Sequence, residues 1–199
     1  MNTFRIVDMP NGKFNKVEVK ESKGKGLGVF ATKKIKKGEI ICWYDGILVS
    51  IKQIEALNEI PSLIVGKNGY NQFLSKNECI AGFTKVFRNG GVGQLINDYS
   101  TTTDPNEERI NILTKKYNCN MERKYDDKGN FKYLYFIAGR NISEGEEILH
   151  HYGVHYWKNT GSQELFTNMI KINPKYNLKN DSMSDYLIRA FIVNNTTFI

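Results

Sequence analysis

The sequence predicts a mostly β domain carrying a helical C-terminal extension. Short apolar runs broken by glycine fill residues 14–49, a hairpin signature occupies 117–139, and helix-type periodicity takes over only near residue 158.

Taken in order, "FNKVEV", "LGVFAT", "EIICWY" and "GILVS" between Phe14 and Ser50 alternate apolar and polar residues or run apolar, and each reads as a short strand. "SIKQIEALNEIP" follows: Ser50 and Gln53 fit a capping box, Ile51, Ile54 and Leu57 form one stripe, and Pro61 ends it, predicting one short helix. Residues 66–94 return to a glycine-rich, aromatic β texture, and "VGQLINDYS" suits a single helical turn. The polar stretch "TTTDPNEER" predicts a surface loop. "YNCNMERKY" and "FKYLYFIAG" are two strands joined by "DDKGN", whose Asp, Gly and Asn tolerate the left-handed conformations of a tight hairpin. In the tail, Ser162 caps a helix bearing Leu165, Phe166, Met169 and Ile170, and Ser182 caps another with Met183, Tyr186, Leu187, Ala190 and Phe191. The expected organisation is an N-terminal flank over 1–16, a main domain over 17–157, and a helical extension over 158–199 packing on it.

The chain has 199 residues, enough for one domain with a real core. With 40% hydrophobic and 25% charged residues it reads as a soluble globular protein. No apolar run reaches the roughly 18 residues of a membrane span, and the polar start "MNTFRIVDMPNGKFNK" lacks the apolar centre of a secretory signal. An intracellular protein is expected, nuclear or cytoplasmic being left open. Cys42, Cys79 and Cys119 lie far apart with no C-x-x-C pair, so buried thiols are expected, with no metal and no disulfide framework. The net charge is +7, with nine lysines between Lys13 and Lys37. Such a face suits nucleic acid or acidic protein, and equally a solvated lysine-rich surface; no base-reading motif accompanies it.

Gly24, Gly26 and Gly28 alternate ahead of an apolar strand. A dinucleotide fingerprint needs glycine where Val29 stands, and no G-x-x-x-x-G-K-[ST] occurs, so phosphate cradling is disfavoured. Alternate glycines let a backbone pass close to a ligand, and they equally suit a bulge.

Four ordered stretches, "GKGLGVFATKKIKKGEII", "WYDG", "GQLINDYS" with "YNC", and "FIAGRNISEGEEILHHYGVHYW", resemble the SET-domain protein lysine methyltransferases. The resemblance spans residues 17–157 and includes a twice-used turn, Ile, two residues, Gly-Glu, at Ile35–Glu39 and Ile142–Glu146. It implies the SET fold, small curved sheets around a knot-like crossing. It also implies transfer of a methyl group from S-adenosylmethionine to a lysine side chain, a histone tail being the first candidate. A SET-like binding module that has lost catalysis, or a methyltransferase of a non-histone protein, is the alternative.

The same resemblance assigns roles. Tyr152 matches the catalytic tyrosine and Tyr44 a second channel tyrosine, although Tyr44 also suits a core aromatic. Lys25, Gly26, Leu27, Tyr70, Asn97, Asp98 and Asn118 match cofactor-side positions; Trp157 either stacks on adenine or pins the tail. His150 stands at a channel position often held by Phe or Tyr. There are departures: Asp98 replaces a histidine, "TTTDPNEERINILTKKY" is an insertion at 101–117, and no cysteine-rich module follows Tyr152. The implied partner is a lysine-bearing protein or peptide, with nucleosomal DNA along the basic N-terminal third and a homodimer left open, and no membrane. A basic substrate calls for an acidic groove, for which Asp98, Asp104, Glu107, Glu108 and Glu146 are the candidates.

Overall fold

The short strands pair into small sheets rather than one large one. In the computed structural model, which describes residues 5–50, 52–53, 71–83, 85–100, 104–153 and 156, they form three small antiparallel ones. β1 (Arg5–Ile6), β5 (Gly46–Ser50), β7 (Glu78–Gly82) and β6 (Asn71–Phe73) make the first, in the order β1-β5-β7-β6. β2 (Val17–Ser22) and β3 (Gly26–Ala31) pair through the glycine turn, with Ser22 opposite Gly26 and Val17 opposite Ala31. β4 (Ile40–Trp43), β9 (Phe131–Ala138) and β8 (Cys119–Tyr125) make the third, in the order β4-β9-β8. The predicted strands and the hairpin are all present. Arg5 and Ile6 of the N-terminal flank pair with Leu48 and Ile47, and Val7 and Phe14 enter the core.

The core gathers the inward residues of all three sheets, among them Trp43, Ile35, Ile41, Ile80, Leu134, Ile142 and Ile148, each fully buried. Burying one such side chain stabilises by about 1.5–3 kcal/mol. Through this core runs the late segment 147–152. Ile148 donates to the Val29 carbonyl at 2.7 Å, Leu149 pairs in parallel with Asn97, and Asn118 donates to the Leu149 carbonyl at 3.0 Å. A strand-like segment clasped by three earlier parts of the chain is the knot-like crossing the resemblance implies.

Two local expectations fare differently. Ser50 and Gln53 exchange hydrogen bonds as a capping box does, the Ser50 amide to Gln53 Oε1 at 2.7 Å and the Gln53 amide to Ser50 Oγ at 3.3 Å; the body of that helix lies outside the described residues. The stretch expected to be a surface loop is instead largely a helix, α1 (Pro105–Leu113). Asp104 caps it by accepting from the Asn106 amide at 2.9 Å, Pro105 begins it, and Glu107 and Glu108 sit in its first turn, where the helix dipole favours negative charge. Only Asn111 is buried, and Ile110, Ile112 and Leu113 are exposed, so the helix has no apolar stripe to read in the sequence. Its end signals, Asp-Pro and two glutamates, were legible. Tyr70, Trp157 and the whole 158–199 extension lie outside the described residues.

Candidate active site

The four residues Trp43, Tyr44, Asp45 and Gly46 each hold a different direction. Trp43 enters the core, its indole nitrogen donating to the Asn89 carbonyl at 3.0 Å and its ring lying under the Arg88 guanidinium at 4.3 Å. Asp45 is fully buried and pairs with Arg88, which also donates to the Val7 carbonyl at 3.0 Å. Burial pushes the Asp45 carboxyl up, opposed by the Arg88 hydrogen bonds and charge. Gly46 faces the β7 backbone, where a Cβ would stand 2.3 Å from the Ala81 carbonyl oxygen. With its neighbours so anchored, Tyr44 is left on the wall of a cavity.

That cavity has a volume of about 380 Å³; Tyr44, Ile96, Met121, Phe136, His150 and Tyr152 line it together with polar side chains such as Gln94, Asn120 and His151. No Asp, Glu, Lys or Arg lines it among the described residues. Tyr152 is held at two points by one segment: its hydroxyl donates to the Ile96 carbonyl at 2.5 Å, and its backbone amide donates to Asp98 Oδ2 at 2.9 Å. His150 lies 5.5 Å from the Phe136 ring and 5.0 Å from the His151 ring, and its Nδ1 is buried without a hydrogen-bond partner. Burial first, and the neighbouring His151 second, push its pKa down to about 4, so the imidazole is neutral at physiological pH.

On the other side of the same segment lie the glycines. Gly24 and Gly26 take left-handed φ values of +74° and +77° in the β2–β3 turn, closed by the Lys25 amide donating to the Ser22 carbonyl at 3.0 Å. Gly28 serves a different purpose, since a Cβ there would meet Glu147 Oε1 at 2.6 Å and Asn97 Nδ2 at 2.9 Å. Its absence lets the buried Asn97 amide donate both to the Leu27 carbonyl at 3.1 Å and to Glu147 Oε1 at 2.9 Å. The Lys25 ammonium donates to the Asp98 carbonyl at 2.6 Å. Asn118, fully buried, donates to the Glu147 carbonyl at 2.7 Å and accepts from the Leu149 amide at 2.8 Å. Asn97, Asp98 and Asn118 therefore bond directly to the segment that carries His150 and Tyr152, while Lys25 and Leu27 reach it only through Asp98 and Asn97.

A SET-domain family model matches residues 26–153. The chain belongs to the SET-domain family. Among curated relatives, N-lysine methyltransferase KMT5A-A of Danio rerio is 33% identical over 146 residues, covering 72% of this chain and 37% of the relative. N-lysine methyltransferase KMT5A of Xenopus tropicalis is 33% identical over 133 residues, covering 65% of this chain and 34% of the relative. The chain thus spans about a third of the length of these relatives. Among solved structures, a chain of ATXR5 in complex with mono-methylated histone H3.1 aligns with a TM-score of 0.48 at 20% identity, covering 69% of this chain and 56% of that one.

SET-domain methyltransferases use S-adenosylmethionine as methyl donor, and the donor set of this SET domain fits such a molecule. A zwitterion with a cationic sulfur needs a cation for its carboxylate, carbonyl oxygens for its positive end and apolar surface for its rings. The chain has groups of these kinds, the Lys25 ammonium, which here rests on the Asp98 carbonyl, the Ile96 carbonyl, which here receives the Tyr152 hydroxyl, and the Tyr152 and Tyr156 rings, whose centroids are 4.8 Å apart.

None of the candidates for an acidic groove lines the tyrosine cavity. Asp98 is engaged by backbone amides, Asp104 caps α1, and Glu146 faces Arg140 and Asn118. Glu107 and Glu108 lie on α1, Glu108 at 3.9 Å from His151 Nδ1. The hollow adjoining the cavity carries Lys37, Lys115 and Arg140 instead. The three cysteines are free and buried, and burial pushes the Cys79 thiol up to about 11. Sequence reasoning missed Phe136, Ile96 and Glu147; an apolar strand residue and a second glutamate in "GEE" carry no signal until the strands that face them are in place.

Proposed function

We propose that this chain is an S-adenosylmethionine-dependent protein-lysine N-methyltransferase, with a histone tail as its first substrate. The single observation that carries this reading is one cavity walled by Tyr44, His150 and Tyr152 that no Asp, Glu, Lys or Arg lines among the described residues. Methylation needs a neutral amine, whereas a free lysine side chain has a pKa of about 10.4. Desolvation in such a cavity disfavours the ammonium, and no Asp or Glu among the described lining residues is there to stabilise it. Because the Tyr152 proton is committed to the Ile96 carbonyl, its oxygen presents lone pairs as acceptors for an amine N–H. Tyr44, fixed by Asp45 and Trp43 on either side, keeps the alkyl stem in line.

When bound, S-adenosylmethionine supplies an electrophilic methyl group. Lys25, Gly26, Leu27, Asn97, Asp98 and Asn118 would hold it, with Tyr70 and Trp157 as further candidates. The chain's own part is to exclude water, orient the amine lone pair and accept the N–H hydrogen bonds.

Incubating the full chain with isotope-labelled methyl donor and core histones, and separately with cell extract, tests the reading. Labelled lysine should form, and Tyr152→Phe should lower kcat on the order of 10²-fold while calorimetry shows donor binding retained. Donor binding without any turnover on either substrate source would establish the non-catalytic SET module instead, and labelling confined to non-histone protein would move the substrate class.

A further inference from the structure

We propose that Asp98 is a positioning residue through which the insertion between Ser100 and Asn118 holds Tyr152 in place, so that the departure from the family's histidine is a working part of this site. The inference rests on the methyltransferase reading above.

Asp98 is buried at the point where four segments meet. Its Oδ2 accepts from the Tyr152 amide at 2.9 Å and its Oδ1 from the Ser100 amide at 3.2 Å. Tyr117 lies close enough for the Asp98 charge to act on its phenol, which burial first and that charge second push well above its ordinary range. The Asp98 carbonyl in turn receives the Lys25 ammonium at 2.6 Å.

Two contacts tie this cluster to the insertion. Tyr117 ends it, and Asn111 of α1 donates to Ser100 Oγ at 3.2 Å, which fixes the Ser100 backbone whose amide Asp98 receives. Tyr117 also packs edge-on against His151 at 5.4 Å, the residue before Tyr152.

The chemistry explains the choice of residue. A neutral imidazole has one acceptor nitrogen, whereas a carboxylate has two oxygens and about four lone-pair sites, so an aspartate here serves the Tyr152 and Ser100 amides at once. Bonds to a charged acceptor are roughly twice as strong as neutral ones, and a buried carboxylate stays ionised only while such donors surround it. With its amide on Asp98 and its hydroxyl on Ile96, Tyr152 is fixed at both ends by the single stretch 96–98. Releasing one end lets the phenol shift, and a displacement of about 1 Å costs on the order of 10²-fold in rate.

The full chain is tested as Asp98→Ala, Asp98→Asn, Tyr117→Phe, Tyr152→Phe and the Asp98→Ala/Tyr152→Phe pair. At saturating donor, Asp98→Ala should lower kcat by about 10- to 100-fold beyond any loss of donor affinity, and Asp98→Asn, which keeps one acceptor oxygen, should lower it less. In the Tyr152→Phe background the Asp98→Ala effect should shrink to about twofold, because the two act as a unit. A second readout needs no donor and no turnover: the Tyr152 amide of labelled protein should be protected from hydrogen exchange, lose that protection in Asp98→Ala and keep part of it in Asp98→Asn. Should Asp98→Ala fail to fold, Asp98→Asn and Tyr117→Phe carry both readouts. Full additivity with Tyr152→Phe, a weakened donor affinity at unchanged kcat, or a Tyr152 amide that exchanges equally in both proteins overturns the inference. Wild-type protein that transfers no methyl group yet shows an Asp98-dependent Tyr152 amide supports the positioning contact and sinks the activity reading alone.

Discussion

The turns Ile35–Glu39 and Ile142–Glu146 have the same sequence logic and are bonded to each other, yet only one serves the site. Ile35 and Ile142 exchange backbone hydrogen bonds at 3.0 and 2.9 Å. Each turn places its glycine at a left-handed φ, +85° at Gly38 and +79° at Gly145, and each glutamate accepts from the amide three residues earlier at 3.0 Å, Lys36 in one and Ser143 in the other. Each then grips the end of a strand: Gly38 and Glu39 bond to Ala138 of β9 at 2.8 and 2.9 Å, and Gly145 and Glu146 to Ala31 of β3 at 2.7 and 2.9 Å. The difference lies in what else the carboxylate meets. Glu39 faces the half-buried Lys16 side chain, its ammonium at 2.8 Å. Glu146 turns Oε1 to Arg140 at 2.5 Å and to the buried Asn118 at 3.2 Å, and so joins the network under Leu149 and His150. One local motif serves as a surface staple or as a support for the site according to the partner that tertiary structure brings to it.

The largest break in that comparison is expected at Asn118, which has no counterpart beside Glu39. Asn118→Ala leaves the Glu147 carbonyl and the Leu149 amide without their buried partners and should destabilise by about 2–4 kcal/mol, read by denaturant unfolding. A loss below about 0.5 kcal/mol would show that water replaces the side chain and that the two turns are equivalent.

Next come the glycines. Nothing lies within 4 Å of a Cβ built at Gly38 or Gly145, so alanine at either costs only the left-handed conformation, about 1 kcal/mol, or about 2–4 °C in Tm. Stability should fall equally in the two variants, while methyl transfer should fall only in Gly145→Ala; equal losses of activity would sink the distinction.

The smallest effect is in acid. Glu39 is held below its ordinary 4.5 by the Lys16 hydrogen bond and then the Lys36 amide. At Glu146 burial pushes the value up, but Arg140, the Ser143 amide and Asn118 together outweigh it and the carboxyl is again lowered. An acid with a depressed folded pKa binds fewer protons folded than unfolded, so its contribution is present above the unfolded value and disappears as pH falls through the folded one. Glu39→Gln and Glu146→Gln should each flatten the fall of Tm between about pH 5 and pH 3, Glu39→Gln the less because the pair is solvent-screened. An unchanged slope in Glu146→Gln would mean that its bonds persist in the unfolded chain.

The strands were legible because their alternation is written locally, and the Asp-Gly-Asn hairpin because turn residues declare their conformation. Helix α1 was read as a loop because it buries only Asn111 and so shows no period; its Asp-Pro start and acidic first turn were the available signal. At the site, Tyr44 and Tyr152 were found through ordered motifs. Ile96 was not, because it contributes a backbone carbonyl that any residue would supply.

By itself the sequence determined the strands, the turns, the order of the family's motifs and the candidate tyrosines, since these depend on side-chain type and short-range spacing. Only the tertiary structure decided that Asp98 takes the Tyr152 amide, that Asn97 and Glu147 meet across the bare face of Gly28, and that two like turns have unlike duties. These are hydrogen bonds between residues about 50 apart, and a donor's partner at that range is chosen by how the sheets pack.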